Sequence, residues 1–340
     1  MSRRSGFRGA LFVSIQILLA VAVALGITLG GYWYFGPYRG FATETFVEIE
    51  HGMSSRQIAN RLTHQGVIRS AWSFMAVRLL QPHATLQAGE YRFGSAQTPW
   101  QVFTEIRRGE TFYEDFTVPE GSNMFDIAAL LEQTDLVKPD AFLKAAANPE
   151  MIKDLDPQAP DLEGYLFPST YRLTHRTTAA QLCRLMINQF RKEWDLLHPS
   201  PGTDVHEIVT IASLVEKESA APDERPIIAS VFLNRLKLHM PLQCDPTTVY
   251  AALLENRYRG VIHKSDLASV NPYNTYAHAG LPPGPIANPG VQSLKAALNP
   301  AATEYLYFVA KPGGAGSHVF SATLTEHDKA VLDYRKGEHR

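Results

Sequence analysis

A long apolar segment near the N-terminus constrains this chain of 340 residues more than any other feature. Residues 9–38 carry no charge, and only Ser14, Gln16 and Thr28 interrupt the apolar run over residues 11–35. A helix of about 20 apolar residues crosses the ~30 Å hydrocarbon core of a bilayer. The segment therefore predicts one transmembrane helix over residues 10–35, through which the protein contacts the lipid bilayer.

The residues that flank this segment predict its orientation. Arg3, Arg4 and Arg8 precede it, and basic residues stay on the cytoplasmic side of a membrane. The aromatic residues 32–34 follow it and are typical of the membrane interface. We therefore expect residues 1–9 to be a cytoplasmic tail of a single-pass inner-membrane protein. The rest of the chain would lie in the periplasm or another extracytoplasmic space.

A cleaved signal peptide is the alternative interpretation of the N-terminus. The small residues of Ala22-Val-Ala24 are typical of a cleavage site, and cleavage there would release the remaining chain. The apolar run continues well past Ala24 to the aromatic residues 32–34. This continuation favours a retained anchor.

Charge and ligand spacing exclude several partners for the exported part. The chain has 32 Lys and Arg residues against 34 Asp and Glu residues, so it lacks the basic field that nucleic-acid binding requires. Its motifs contain no metal-ligand spacing. Only Cys183 and Cys244 occur, and the sequence does not predict whether they pair. We therefore expect no nucleic-acid partner, no metal and no cofactor.

An internal repeat indicates how the exported part begins. Residues 49–62 align with residues 118–131, and each copy reads as strand, glycine turn and amphipathic helix. The first copy continues through a second helix to an alternating strand over residues 88–93. This β-α-α-β order within residues 45–112 resembles a LysM carbohydrate-binding module, and a small spacer domain fits it nearly as well. The second copy lacks a closing strand, so residues 113–160 are predicted to be a linking α+β region.

One helix in the remaining region carries a carboxylate on its apolar side. At about 100° per residue, Glu218 falls on the apolar stripe of this helix, whereas Glu216 lies about 200° away from Glu218 and should be solvated. A carboxyl group in apolar surroundings has a raised pKa, as a general acid near neutral pH requires. A helix-end carboxylate paired with a nearby Lys or Arg would fit the same position.

Short turn-rich motifs surround this helix, in a region over residues 161–340 that is predicted to be mostly helical with short strands. Residues 305–310 and 318–321 predict a hairpin across Gly313, Gly314 and Gly316. Six motifs follow one another in the chain: Glu163–Pro168, Ala212–Glu218, Val231–Leu236, Leu242–Thr247, Tyr273–Tyr276 and Gly280–Ile286.

Taken in order, these motifs resemble the endolytic murein transglycosylase family, the YceG-like group. The pair Glu218-Ser219 is also similar to the Glu-Ser pair of lysozyme-like lytic transglycosylases. The resemblance covers nearly the whole chain and implies an α+β architecture. That architecture comprises the single N-terminal transmembrane helix, the LysM-like β-α-α-β module and a lysozyme-like, mostly helical catalytic domain with short strands.

The resemblance also implies a reaction. Family members cut the β-1,4 bond after N-acetylmuramic acid within a glycan strand, without water, and leave a 1,6-anhydro end. Glu218 would protonate the leaving oxygen and then, as a carboxylate, accept a proton from the C6 hydroxyl of the sugar. A single carboxylic acid suffices for this sequence of steps.

The same motifs supply candidate substrate contacts, which are Glu163, Ser219, Asn234, Asp245, Tyr273, Asn274 and Tyr276. Taken singly, Glu163 and Asp245 could equally stabilise turns by bonding backbone amides, and Asn234 is more often structural. Cys244 departs from the family pattern, in which a small hydroxyl residue is expected. We expect this departure to affect only local packing.

Two further interpretations remain open. A hydrolytic muramidase would use a second carboxylate, Asp245 or Glu163, as nucleophile or base. A membrane-anchored scaffold without activity would bind peptidoglycan through its LysM-like part. The complete motif set around Glu218 favours the enzyme. Its expected partners are peptidoglycan glycan strands and membrane-bound peptidoglycan synthases.

Overall fold

The protein combines many helices with a few small sheets. A computed structural model describes residues 3–219, 221–313 and 316–338. These residues form thirteen α-helices and six short β-strands, and the strands pair into three two-stranded sheets. The chain divides into two compact units, residues 1–114 and 115–340. The mixed, helix-rich architecture agrees with the predicted α+β class.

Helix α1, Arg3–Phe35, contains the predicted membrane segment. Its part Phe12–Phe35 is 24 residues long, has a mean hydropathy of 2.5 and is 0% buried. By length and composition this N-terminal helix can span a bilayer. Residues 1 and 2 of the predicted cytoplasmic tail lie outside the described residues.

The first unit is built on a two-stranded antiparallel sheet. Strand β1, Thr45–Ile49, pairs with strand β2, Gly89–Phe93, in a register that runs from Thr45 opposite Phe93 to Ile49 opposite Gly89. Between the strands lie helix α2, Ser55–His64, and helix α3, Ala71–Leu80. This is the β-α-α-β order that the sequence predicts, and helix α4, Pro99–Arg108, follows it.

Local sequence sets where the helices of the first unit begin. Ser54 and Gln57 form a capping box at α2, and Thr98 and Gln101 form another at α4. The apolar faces of the three helices pack on the sheet. The resulting core includes the buried side chains of Ile58, Leu62, Phe74, Val77, Tyr91, Phe93 and Phe103.

The segment after α1 is fastened to the first unit. Tyr38 and Gln97 exchange backbone hydrogen bonds of 3.0 and 3.2 Å. The N–H of Gly40 donates to the carbonyl oxygen of Gly66 at 2.8 Å. Only residues 36 and 37 therefore separate the end of α1 from the first residue that pairs with the unit.

The second unit is mostly helical. Its helices among the described residues are α5 (Met124–Leu131), α6 (Pro139–Ala146), α7 (Ala179–Leu196), α8 (Val205–Glu218), α9 (Arg225–Lys237), α10 (Asp245–Leu254), α11 (Lys264–Leu267), α12 (Val291–Leu298) and α13 (Leu324–Glu338). The remaining strands are β3 (Glu114–Thr117), β4 (Thr170–Leu173), β5 (Tyr307–Ala310) and β6 (His318–Ser321). Strands β5 and β6 form the antiparallel hairpin that the sequence predicts, although Gly314 lies outside the described residues.

The second copy of the repeat does find a closing strand. Strand β3 pairs with β4, whose residues lie about fifty positions further along the chain. The sequence analysis predicts that the second copy has no closing strand. That prediction was wrong, because the partner strand β4 lies beyond residue 160. One hydrophobic core joins residues on both sides of position 160, from Phe116 to Ala297.

Helix α8 runs through the middle of this core. Every residue from Val209 to Val215 is buried, so this part of the helix has no face toward solvent. Helices α9, α10 and α12 pack against it. At its N-terminus, Asp204 caps the helix by accepting a hydrogen bond from the backbone N–H of Glu207 at 3.1 Å.

A glycine permits the loop over residues 163–168 to pack closely on α8. Gly164 has φ +88, and a Cβ atom there would lie 2.5 Å from Pro285 and 2.8 Å from Val209. Only glycine tolerates both this backbone conformation and this distance. The loop and the segment around Pro285 are thereby brought against the central helix.

Candidate active site

Glu218 is the last residue of α8, and its side chain lines a cavity of about 280 Å³. Helices α8, α9, α10 and α13, strand β5 and the loop at Tyr276 all contribute to the wall. The lining residues are Glu218, Val231, Phe232, Arg235, Leu242, Gln243, Cys244, Asp245, Tyr276, Phe308 and His327. The predicted acid therefore opens onto a cavity in which a small ligand can bind.

Burial raises the pKa of Glu218 above its ordinary value. The hydrogen bond from Cys244 and the positive field of His318 lower this pKa, and the negative field of Asp245 raises it further. The carboxyl group also stands at the C-terminal end of α8, where the helix dipole disfavours negative charge. The site therefore favours the protonated form that a general acid needs.

Cys244 contacts the acid directly. Its thiol donates a hydrogen bond to Oε1 of Glu218, with Sγ and Oε1 3.1 Å apart. Burial raises the pKa of Cys244 well above its ordinary value, which keeps the thiol protonated and able to donate. The departure from the family pattern at position 244 thus reaches the candidate acid, and the expectation that it affects only local packing was wrong.

The backbone around Cys244 is held by the Tyr273–Tyr276 motif. The N–H of Cys244 donates to Oγ1 of Thr275 at 3.0 Å, and the hydroxyl groups of Thr247 and Thr275 are 2.9 Å apart. The N–H of Gln243 donates to the carbonyl oxygen of Thr275 at 3.2 Å. Two motifs that are distant in sequence therefore fix the position of the thiol.

Asp245 and Tyr276 lie together in the same cavity. The hydroxyl group of Tyr276 donates to Oδ1 of Asp245 at 2.6 Å. Asp245 is exposed and Tyr276 is partly buried. The structure thus brings two of the seven predicted substrate contacts to the wall that also holds Glu218.

Three other lining residues were not singled out in the sequence. Gln243 has φ +52, a conformation that is uncommon for a residue with a side chain and that often marks a functional turn. Arg235 donates from Nε to the carbonyl oxygen of Leu306 at 2.6 Å and from Nη1 to that of Leu242 at 2.8 Å. His327 comes from α13, a helix for which the motifs give no signal.

Glu163 lies outside this cavity and is only 1% exposed. Its Oε2 accepts from the N–H of Met124 at 2.8 Å and from the hydroxyl of Tyr250 at 3.1 Å. Its Oε1 accepts from Nδ2 of Asn288 at 2.6 Å. Burial raises the pKa of Glu163 to about 8, although the bonds from Met124 and Tyr250 oppose that rise. In this structure the carboxyl group therefore joins segments of the protein.

Tyr273 and Asn274 are also buried behind the cavity wall. Asn274 is 0% exposed, and its Nδ2 donates to the carbonyl oxygens of Leu267 and Ser269 at 3.0 and 2.7 Å. The ring of Tyr273 packs against that of Tyr250, with centroids 5.1 Å apart. Both side chains support the loop that presents Tyr276.

Ser219 and Asn234 make bonds within the protein. The Ser219 hydroxyl donates to the carbonyl oxygen of Ala221 at 2.8 Å, directly after α8. Nδ2 of Asn234 donates to the carbonyl oxygens of Thr303 and Tyr305 at 2.8 and 3.1 Å. Asn234 is thus bonded to the segment that leads into β5.

The prediction that Glu216 is solvated was wrong. Its side chain is 6% exposed. Oε1 lies 3.3 Å from Nη2 of Arg225, and Oε2 accepts from the N–H of Gly290 at 2.9 Å. Arg225 and Gly290 come from other parts of the chain, so the helical wheel alone could not predict this pairing. The two glutamates at the end of α8 therefore differ, since Glu216 is paired and Glu218 faces the cavity.

Comparison with known proteins identifies the family. The YceG-like family model matches residues 47–333. A protein of Bacillus subtilis named endolytic murein transglycosylase is 33% identical over 333 residues, covering 91% of this chain and 91% of its own length. A protein of the same name from Streptococcus pneumoniae is 28% identical over 319 residues, covering 85% of this chain but 58% of its own length.

A solved structure agrees with these matches. The crystal structure of a YceG-like protein from Listeria monocytogenes has a TM-score of 0.53 and 33% sequence identity, and it covers 85% of this chain and 99% of the other. The chain belongs to the YceG-like family. The resemblance drawn from the six motifs is thereby confirmed.

The hydrogen bond from Cys244 predicts a measurable effect on Glu218. Cys244→Ala removes a donor that stabilises the carboxylate, so the pKa of Glu218 should rise. Cys244→Ser keeps a donor and should shift this pKa less. A ¹³C NMR titration of labelled glutamate, with the Glu218 signal assigned from Glu218→Gln, measures the shift. Cys183→Ala is the matched control, and an unchanged pKa in Cys244→Ala would contradict the proposed contact.

The contacts of Glu163 predict a loss of stability in Glu163→Gln. An amide N–H would face the donor of Met124 or Asn288, which should lower the free energy of unfolding by about 1–3 kcal/mol. The folded pKa of about 8 exceeds the ~4.3 of an unfolded glutamate, so the fold retains a proton that the unfolded chain releases. This contribution is complete below about pH 4.3 and is lost as the pH rises through 8.

Urea unfolding followed by near-UV circular dichroism from pH 5 to 8 tests both effects. The wild type should lose stability with rising pH more steeply than Glu163→Gln does. Glu207→Gln, at an exposed position on α8, serves as the control. Unchanged stability in Glu163→Gln combined with weaker glycan binding would instead support the predicted substrate contact.

Proposed function

We propose that this protein is a membrane-anchored lytic transglycosylase of peptidoglycan. It cleaves the β-1,4 bond between N-acetylmuramic acid and N-acetylglucosamine within nascent glycan strands and leaves 1,6-anhydro-muramic acid ends. Such cleavage limits the length of the strands. The relatives named endolytic murein transglycosylase support the substrate and the internal mode of cutting.

The observation that carries this proposal is the position of Glu218. Its carboxyl group lines the cavity, and burial raises its pKa. It can therefore hold a proton near neutral pH and donate it to the glycosidic oxygen as that bond breaks. The resulting carboxylate can accept the proton of the C6 hydroxyl of the muramic acid, whose oxygen closes onto C1. One residue then acts as acid and as base, and no water is consumed.

The surroundings of Glu218 suit this double role. The thiol of Cys244 bonds Oε1 and so restricts the rotation of the carboxyl group. The same bond stabilises the transient carboxylate. Asp245 and Tyr276 form a bonded polar pair on the same wall, and we propose that they contact the sugar. We retain the predicted contacts from Glu163, Ser219, Asn234, Tyr273 and Asn274 only as indirect ones, because their side chains bond or pack within the protein.

The remaining organisation follows the sequence interpretation. We propose that residues 1–9 are cytoplasmic, that residues 10–35 cross the inner membrane, and that the rest of the chain is periplasmic or extracytoplasmic. We further propose that residues 45–112 act as a LysM-like module, that residues 113–160 link it onward, and that residues 161–340 form a lysozyme-like catalytic domain. Membrane-bound peptidoglycan synthases are the proposed partners, since they make the nascent strands.

A hydrolytic muramidase is the second candidate, and the position of Asp245 is the observation that favours it. This carboxylate lines the same cavity as Glu218, as the second carboxylate of a glycosidase would. Its bond with Tyr276 supports a binding role instead, because the hydroxyl occupies one of its oxygens. Glu163 is a weaker candidate for the second carboxylate because it is buried away from the cavity.

The role of Glu218 predicts that Glu218→Gln loses activity and keeps its fold. The amide can still accept the bond from Cys244 but cannot donate and recover a proton, so turnover should fall by at least about 100-fold. Release of fragments from intact sacculi measures turnover, and circular dichroism checks the fold. Glu207→Gln is the control, because Glu216 is paired with Arg225 and its substitution would disturb α8. Near-normal turnover in Glu218→Gln would exclude the proposed acid, and an inactive wild type would support the scaffold.

The reaction itself predicts the chemistry of the new ends. If the C6 hydroxyl attacks, cleavage in ¹⁸O-labelled water should leave 1,6-anhydro ends without label, each lighter than a hydrolysed end by one water. Mass spectrometry of the products detects both species. Labelled reducing ends would instead identify a muramidase and assign a catalytic role to Asp245. A broad spread of early fragment lengths is expected from internal cutting, whereas disaccharides as the only early product would contradict it.

A further inference from the structure

Helix α3 of the first unit has two apolar faces. One face, which includes Phe74 and Val77, is buried in the core of the unit. The opposite face exposes Trp72 at 78%, Leu79 at 74% and Leu80 at 75%. A helix that is apolar on both sides is normally buried on both sides or lies against a membrane. The exposed face therefore needs a partner.

The three exposed residues and the half-buried Ala76 form one continuous strip. At about 100° per residue, Trp72, Ala76, Leu79 and Leu80 fall within about 100° of one another around α3. We call these four residues the outer face of α3. None of them is charged. The only charged residue of the helix, Arg78, directs its guanidinium to the carbonyl oxygens of Gln81 and Ala84.

The start of α3 lies beside the end of the membrane helix α1. The guanidinium carbon of Arg69 is 3.7 Å from the ring centroid of Trp33 and 4.8 Å from that of Tyr38. Trp33 belongs to the aromatic belt of α1, and Trp72 follows Arg69 by three residues. Three residues span at most about 10 Å. The outer face of α3 therefore begins close to the level at which α1 leaves the bilayer.

The short connection keeps this arrangement fixed. Two residues separate α1 from Tyr38, which is paired with Gln97 in the first unit. The unit therefore cannot move far from the membrane surface while α1 remains inserted.

Cationic side chains lie near both ends of α3. Arg69 precedes the helix, and Arg107 of α4 lies near its C-terminal end. Nη1 of Arg107 donates to Oε1 of Gln81, the residue that follows the helix, at 3.1 Å.

We propose that the outer face of α3 inserts into the interfacial layer of the bilayer that holds α1. The partner is a lipid surface, with acyl chains against Trp72, Leu79 and Leu80 and headgroup phosphates near Arg69 and Arg107. Amphipathic helices bind membranes in this way. The surface goes beyond the proposed function and rests on it only for the membrane anchor.

Lipid fits the outer face better than glycan does. An exposed Trp can stack on a sugar ring, but Leu79 and Leu80 offer no hydrogen-bonding group to the hydroxyls around that ring. A patch with this composition is instead typical of interfacial insertion, where a Trp and aliphatic side chains lie at the boundary between headgroups and acyl chains. A second copy of the chain could also cover it, and the test must separate the two.

The test places a nitroxide label at Leu79→Cys in the full-length protein. The protein is reconstituted into vesicles of phosphatidylethanolamine and phosphatidylglycerol. Cys183 and Cys244 are buried, and mock labelling of the wild type measures their background. Asn60→Cys, at an exposed polar position of α2, is the matched control. Power-saturation spectroscopy then compares collisions of the label with oxygen, which partitions into lipid, and with a water-soluble nickel complex.

The label at position 79 should collide more often with oxygen than with nickel, and the label at position 60 should show the reverse. Flotation of the vesicles shows separately whether the protein is anchored, because an anchored protein floats with them. If the protein floats with its vesicles and position 79 is as accessible to nickel as position 60, the docking surface is refuted and the anchor stands. If the protein does not float, the anchor fails and the docking surface fails with it. Dipolar broadening between labels at position 79 would identify a second copy as the occupant and overturn the proposal.

Discussion

The burial of helix α8 on all sides is the constraint on which the second unit depends. No residue from Val209 to Val215 reaches solvent, so other segments must surround the helix completely. Helices α9, α10 and α12 supply that cover, and a buried hydroxyl, Ser213, bonds the N–H of Ile286. The helix ends at Glu218, which lines the cavity. A carboxylic acid at that end is surrounded by protein on most sides and still reaches a ligand, which is why burial can raise its pKa without closing off the site.

Two buried networks hold the segments around α8 in register. Glu163 joins the start of α5 to α10 and to Asn288, and Asn288 in turn accepts from the N–H of Leu166 at 2.8 Å. Glu216 joins α9 to the residue before α12. Each carboxyl group is kept away from solvent and is bonded by several donors, as a buried polar group requires. These networks stabilise the frame, while the neighbouring Glu218 accepts a hydrogen bond from the thiol of Cys244 and lines the cavity.

The sequence predicted the features that depend on local pattern. The apolar run, the β-α-α-β order and the hairpin near the C-terminus follow from composition, periodicity and turn residues, and the structure contains all of them. Features that depend on distant partners were missed. Pairing of β3 with β4, the hydrogen bond from the N–H of Gly290 to Glu216 and the burial of Glu163 each join residues far apart in the chain. At the site, helical periodicity marked Glu218, and the motifs marked Asp245 and Tyr276. Neither gave a reason to choose Gln243, Arg235 or His327, which line the cavity because of where the fold puts them.

The fastening of residues 38–40 to the first unit has a consequence for how far from the bilayer the proposed function can act. A chain anchored by α1 has no flexible tether, because only two residues separate the end of the helix from Tyr38, which is paired with Gln97. Folded units of these sizes are each on the order of 30 to 45 Å across. With the anchor proposed above, the protein would search only a layer next to the bilayer, by lateral diffusion in two dimensions. Wall material beyond that layer would be spared by geometry alone, without any recognition of its chemistry.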